Sequence, residues 1–225
     1  MSVKGENMEF YQIVMLFVYA ACVVAMIAMK LANYGNRRRG VVKCIASALF
    51  VAMAVTNFVR SEREYAVVVL VGVVFAAIGD VFLVFMDKRN LFLCGVFSFA
   101  LASLTLSIYC ILSQNWQWWF LAVFAVLVVA LVVGERKGFI DFGSCKISLN
   151  LYTIFVALCG SLGVTLFVQG VSDLKMFLFG LGCFMYLASD IVLGLYLYKF
   201  RSNRIMDSVN TLLYFPGLML IALSL

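Results

Sequence analysis

Residues 65–86 read YAVVVLVGVVFAAIGDVFLVFM, a run with a single charge, Asp80. About 20 consecutive apolar residues is the length a helix needs to cross the hydrocarbon core of a bilayer. Glu64 precedes the run and Asp87 follows it, so the stretch reads as one membrane span with an acid inside. Seven more apolar runs lie around it, at roughly 10–29, 42–59, 91–112, 116–134, 148–168, 174–198 and 206–225. Each is expected to be a helix, because lipid leaves no partner for an open backbone group. The fold expected is an all-α integral membrane protein, a bundle of eight transmembrane helices forming one domain over residues 1–225.

Composition supports this reading. The chain has 225 residues, 65% of them hydrophobic, with a mean hydropathy of +1.08. Only 12% are charged, against about 25% in a soluble domain. The connections are short, and the longest, around 134–147, needs no structure of its own. Glu6, Glu9 and a single Lys4 make a poor signal-peptide start, so the first run reads as a retained span. Trp116, Trp118 and Trp119 cluster where a helix would enter the interface.

Several function classes fall away. There is no histidine, which removes His-ligated zinc, Ser-His-Asp and Cys-His catalysis, and His-based pH sensing. The seven cysteines form no CxxC pair and mostly lie in apolar runs, as reduced packed thiols do. No metal and no cofactor are expected. The bases sit in short clusters between apolar runs, which argues against nucleic acid as a partner and for the bilayer itself.

Those clusters orient the bundle. Loops after the first, third, fifth and seventh runs hold Lys30, Arg37, Arg38, Arg39, Lys43, Lys88, Arg89, Arg136, Lys137, Lys146, Lys199, Arg201 and Arg204. The opposite side holds Lys4, Arg60, Arg63 and Lys175. The positive-inside rule puts the first group in the cytoplasm and both termini outside.

Of the eleven acids, nine lie at termini, loops or helix ends; Asp80 and Asp190 lie inside spans. A carboxylate there costs about 2.5–3.5 kcal/mol on insertion scales, so an intramembrane acid points to function by default. No lysine or arginine is expected inside a span to neutralise either one. The bland alternative is a protonated Asp that hydrogen-bonds a neighbouring helix. At about 1.5 Å per residue, Asp80 lies roughly 9 Å and Asp190 roughly 14 Å from the cytoplasmic ends of their runs.

Small residues mark interior faces beside both acids. Gly72 and Ala76 share a face with Asp80; Gly182, Tyr186 and Gly194 share one with Asp190. The last run offers Asn210, Tyr214 and Gly217, the sixth offers Asn150, and the fourth offers Gly95, Phe99, Ser103 and Ser107. The strings AIGDVFL and LASDIVL also match loosely, four helices apart, which raises the alternative of two four-helix halves of the same orientation.

Gly79, Asp80, Val81, Phe82 and Leu83 form a Gly-Asp-aliphatic motif. Gly182, Tyr186, Ser189 and Asp190 form a second, and Tyr214, Phe215, Leu220, Ile221 and Ala222 a third, with Lys43 early in the second run. With these motifs in this order, the chain resembles the YhhN-like family of lysoplasmalogenases, small polytopic hydrolases of the vinyl-ether bond in lysoplasmalogens. Two positions depart from the family pattern: Ser103 stands where a histidine is common, and Leu218 where a glutamine is.

The resemblance implies an ether hydrolase that releases a fatty aldehyde and a glycerophospho head group from a lysophospholipid. Asp80 and Asp190 would be catalytic, with substrate contacts from Lys43, Ser103, Asn150, Tyr186, Ser189, Asn210 and Tyr214. One Asp must hold a proton near neutral pH while the other, ionised, stabilises a cation, as paired carboxyls do at glycosidic bonds. Asp80 is the expected acid, because Ser189 adjoins Asp190 in sequence and no hydroxyl adjoins Asp80. Lys43, Lys88 or Arg89 would hold the phosphate. The competing readings are a small transporter or proton-coupled permease using the Asp pair as a relay, and a non-enzymatic bundle with structural acids.

Overall fold

The computed structural model describes residues 9–85, 88–113, 117–139, 142–169, 173–200 and 203–225; Lys4, Glu6, Asp87, Trp116, Asp141 and Arg201 lie outside them. The described residues form eight α-helices and no strand: α1 (Phe10–Leu31), α2 (Asn36–Arg60), α3 (Ala66–Val84), α4 (Arg89–Leu112), α5 (Phe120–Arg136), α6 (Lys146–Gln169), α7 (Leu174–Tyr198) and α8 (Arg204–Leu223). Seven are long and apolar enough to cross a membrane, so the chain is a multi-pass membrane protein. The exception is α5, which has 17 residues and buries none of them.

Local chemistry sets the helix ends. Asp173 caps α7, its carboxylate accepting from the Lys175 and Met176 amides, and Asn203 caps α8 the same way through Ile205 and Met206. The largest shift from expectation is at α2, which begins at Asn36 rather than near residue 42. Arginine and lysine are good helix formers, so the polar stretch before the apolar run winds too. Lys43 therefore sits about two turns inside a helix.

The neighbouring pairs α1–α2, α2–α3, α3–α4, α6–α7 and α7–α8 run antiparallel. At one end, Gln12 of α1 donates to Asn57 of α2 (2.7 Å), and Asn57 donates to the Ala222 carbonyl of α8 (3.0 Å). There Arg63 also grips both oxygens of Asp173. Burial pushes the Asp173 carboxyl up, but Arg63 and the Met176 and Lys175 amides outweigh it and hold the carboxyl below its usual value. Its contribution is thus present at neutral pH and fades as pH falls through that lowered value.

At the other end, Lys30 of α1 reaches three groups of α8: the Asp207 carboxylate, the Asp207 carbonyl (2.9 Å) and the Thr211 hydroxyl (2.6 Å). Arg39 of α2 approaches the same carboxylate at 3.6 Å. Pro216 interrupts the backbone ladder of α8, and nearby Tyr19 of α1 donates to the Phe215 carbonyl at 2.5 Å. The start of α1 and the end of α8 thus lie at the same end of the bundle.

Packing is tightest where glycines let backbones meet. A Cβ on Gly180 of α7 would meet the Phe167 amide and stand 2.7 Å from the Gly163 carbonyl of α6. One on Gly182 would stand 2.7 Å from the Gly217 carbonyl of α8. The face expected along Gly182, Tyr186, Asp190 and Gly194 ends early, because nothing lies within 4 Å of a Cβ at Gly194. Gly180→Ala should lower stability by about 1–3 kcal/mol through overpacking against backbone that cannot yield, while Gly194→Ala is neutral. Unfolding of both variants in detergent checks this; equal midpoints would contradict the close approach.

Candidate functional site

Asp80 is fully buried at the last turn but one of α3. Lys43 lies 2.9 Å from its Oδ1, and the Ser47 hydroxyl, one turn further along α2, donates to Oδ2 at 2.6 Å. The expectation that no cation within a span answers either acid is therefore wrong for Asp80. The cause is the early start of α2, which carries Lys43 inward. Lys43 faces this carboxylate as an ion pair. Oδ1 has no hydrogen bond of good geometry, so it keeps acceptor capacity.

Asp190 has a different partner. Its Oδ2 accepts from the Tyr152 hydroxyl of α6 at 2.6 Å, and no described cation pairs with it. Ser189, expected to adjoin Asp190, instead donates to the Tyr186 carbonyl of its own helix (2.7 Å). Neighbours on a helix point about 100° apart, so sequence adjacency does not bring the two side chains together. Asn210 of α8 donates to the Ser189 carbonyl (2.8 Å), so Asn210 and Ser189 join α7 to α8.

A floor of aromatic rings connects the two acids. Phe99 of α4 stacks near Tyr152 (6.5 Å between centroids) and near Tyr214 of α8 (6.1 Å). Tyr186 lies 6.0 Å from Tyr214. The Tyr214 hydroxyl is buried, lacks a hydrogen bond of good geometry, and lies within electrostatic reach of both Asp80 and Asp190. Ser103 is fully buried, donates to the Phe99 carbonyl (3.0 Å), and lies 3.4 Å from the Tyr186 hydroxyl. The position where a histidine was expected thus faces this same interior. The Asn150 side-chain oxygen is also buried without a hydrogen-bond partner among the described residues.

Buried polar atoms are nearly always satisfied. Acceptor capacity on Asp80, a Tyr214 phenol turned toward Asp80 without good hydrogen-bond geometry, and an Asn150 oxygen with no partner among the described residues are groups able to receive water or substrate. Tyr152 and Ser47 were not anticipated. Ser47 carried a usable signal, since it lies four residues after Lys43 on the same face. Tyr152 was one aromatic among many. A separate cavity of about 350 Å³ opens at the other end of the bundle, lined by Arg63, Tyr65 and Tyr109 among others, and touches neither acid.

Lys43→Met leaves Asp80 as a buried charge without its cation and should destabilise by about 3–5 kcal/mol. Adding Asp80→Asn to that variant should recover much of the loss. A double-mutant cycle by unfolding in detergent checks the coupling, and simple additivity of the two substitutions would contradict the pair.

No curated protein and no solved structure matches the chain. A family model does match, over residues 38–225, which runs from the first turn of α2 to the end and leaves out α1. Both acids, Lys43, Tyr152, Ser103 and Tyr214 all fall within the match. The chain belongs to the YhhN family.

Proposed function

We propose that the chain hydrolyses the alkenyl ether bond of a lysophospholipid, giving a fatty aldehyde and a glycerophospho head group. Membership of the YhhN family is consistent with a lysoplasmalogenase-like hydrolase. The single observation that carries the chemistry is the unequal partnering of the two acids around one phenol. Among the described residues Asp80 has a cation, and Asp190 has the Tyr152 hydroxyl and no cation.

That asymmetry reverses the roles expected from sequence. Asp80, with Lys43 beside one oxygen and the Ser47 hydroxyl on the other, is the acid placed to serve as the carboxylate. A carboxyl in an apolar span without a cation is cheaper as the neutral acid. Asp190 then donates its proton to the alkenyl carbon β to the ether oxygen. The α carbon becomes an oxocarbenium ion, which the Asp80 carboxylate stabilises. Water adds to that carbon and gives its proton to Asp80. The resulting hemiacetal collapses: its hydroxyl becomes the aldehyde carbonyl, the C–O bond to glycerol breaks, and the glycerol oxygen takes the hydroxyl proton. Tyr214, in reach of both acids, returns the proton from Asp80 to Asp190. Lys43 is thereby assigned to Asp80 first and to phosphate second.

The same reading includes eight spans. Phe99 and Tyr152 pair near one end, and Cys110 and Cys159 interact nearer the other, so α4 and α6 run parallel. The chain leaves α4 at one end and enters α6 at the opposite end, and α5 covers that distance. Both termini then lie outside the cytoplasm, away from the basic end. Reporter fusions at Leu225 and after Arg39 should report opposite sides; a cytoplasmic Leu225 fusion would contradict this orientation.

Two four-helix halves fit as well. Gly72 precedes Asp80 by the same eight residues as Gly182 precedes Asp190. The first glycine meets α4 and the second α8, and the partners of the acids come from α2 and α6 respectively.

Mass spectrometry of lipids incubated with purified protein tests the reaction. Asp80→Asn and Asp190→Asn should each fold yet lose about 10²–10⁴ in rate, the usual worth of acid–base help. The double variant should be little worse than the poorer single one, since the two act as a unit. Full activity in either single variant would sink the mechanism. Unchanged lipid together with Asp-dependent proton movement in proteoliposomes would favour the transport reading instead.

A further inference from the structure

Between α2 and α3, on the outward side of the bundle, runs an apolar furrow of about 270 Å³. Its walls include Cys44, Ser47, Ala48 and Val51 of α2, and Val74 and Ala77 of α3. The two alanines lower the walls, and the α2 side, Cys44 to Val51, is about 10 Å long. The furrow is pinched at one end, where Gly40 of α2 packs against Val84 of α3.

Ser47 is the residue that gives the furrow a destination. It lines the furrow and also donates the hydrogen bond to the buried Asp80 carboxylate. One small side chain therefore separates an apolar channel from the buried Asp80 carboxyl. Neither cation lines the furrow, but Lys43, facing Asp80, and Arg39, 3.6 Å from Asp207, stand at successive turns of α2 toward the pinched end, and the Arg39 Nε is buried without a hydrogen-bond partner among the described residues. An apolar furrow ending at cations matches an amphiphile with a chain and a phosphate.

We propose that this furrow binds the hydrocarbon chain of a single-chain phospholipid, with its phosphate at Arg39 and Lys43, so that substrate reaches Asp80 sideways from the bilayer past Ser47. The identity of the lipid rests on the proposed ether hydrolysis; the furrow itself is tested separately.

The probe is a lysophospholipid with an alkyl ether, which cannot be cleaved by this chemistry, carrying a diazirine in its chain. Full-length protein in nanodiscs is irradiated and its peptides are mapped. Saturable labelling of residues 44–51 and 74–81, competed by unlabelled lysophospholipid, is the expected result. Ala77→Trp fills the furrow and should weaken that labelling about tenfold, the worth of about two buried methylenes. Ala48→Leu, at an exposed position, should do the same if Ala77→Trp does not fold. Val126→Trp on the exposed face of α5 should change nothing.

Labelling spread evenly over α1 and α5, or saturable labelling that survives both filled variants, would overturn the proposal. So would crosslinking of Cys44 between two copies that lysophospholipid does not displace, since a second copy would then own the furrow. Saturable furrow labelling without cleavage of an alkenyl lysophospholipid would support the furrow and overturn the hydrolase reading. Cleavage with no saturable labelling would do the reverse.

Discussion

A carboxylate kept from water by lipid must be answered within the protein or it costs several kcal/mol. Asp80, with no exposed surface, imposes that requirement on α2 and α3 together. Lys43 answers it while its side chain stays a quarter exposed, which a long flexible side chain permits. Satisfying both conditions at once fixes the depth of α2 against α3. It also requires α2 to be helical through its arginine-rich start. Ser47 one turn on then reaches the second oxygen, and the Lys30–Asp207–Arg39 group at the same end ties α1 and α8 to this arrangement.

The other acid is answered differently. Asp190 accepts from a phenol, and the rings of Tyr152, Phe99, Tyr214 and Tyr186 pack between it and Asp80. Aromatic side chains are suited to this place because each offers a large apolar body and, in tyrosine, one polar tip. They exclude bulk water without lining the space only with groups unable to hydrogen-bond. Glycines at 79, 182 and 217 bring the helices close enough for these rings to touch; a Cβ on Gly79 would stand 2.8 Å from the Phe99 ring.

Most of the architecture could be read from residue pattern. Apolar runs bounded by charge marked the helices, and the Phe99, Ser103 and Ser107 stripe does face inward. Both acids stood out because each is the only charge deep inside its apolar run, Lys175 lying at the very start of the second. What the pattern concealed was lateral. The bases from Arg37 to Lys43 read as a signal for topology, and only the packing of α2 beside α3 turns Lys43 toward Asp80. Likewise Ser189 looked like the partner of Asp190 because it is adjacent in the chain, whereas helical geometry aims it at its own backbone. Tyr152 had no distinguishing neighbour in sequence. The length of α5 was overestimated because apolar composition continues past the point where the helix begins.

α5 stands apart in another respect. Among the described residues it packs only against α6, and it buries no side chain. Phe120 and Leu127 lie against the core, but the outer face, with Leu121, Val126, Val129 and Val132, answers to lipid instead of to a protein neighbour. Lipid asks for apolarity and length but not for a particular shape. Leu, Ile, Val, Phe and Met are therefore interchangeable along that face, and its sequence is free to drift among them. In α7, where backbones meet at Gly180 and Gly182, the same exchanges are closed. Descendants of this chain should thus carry their variation unevenly, with the most divergent letters in α5 and the least in the helices that enclose the two acids.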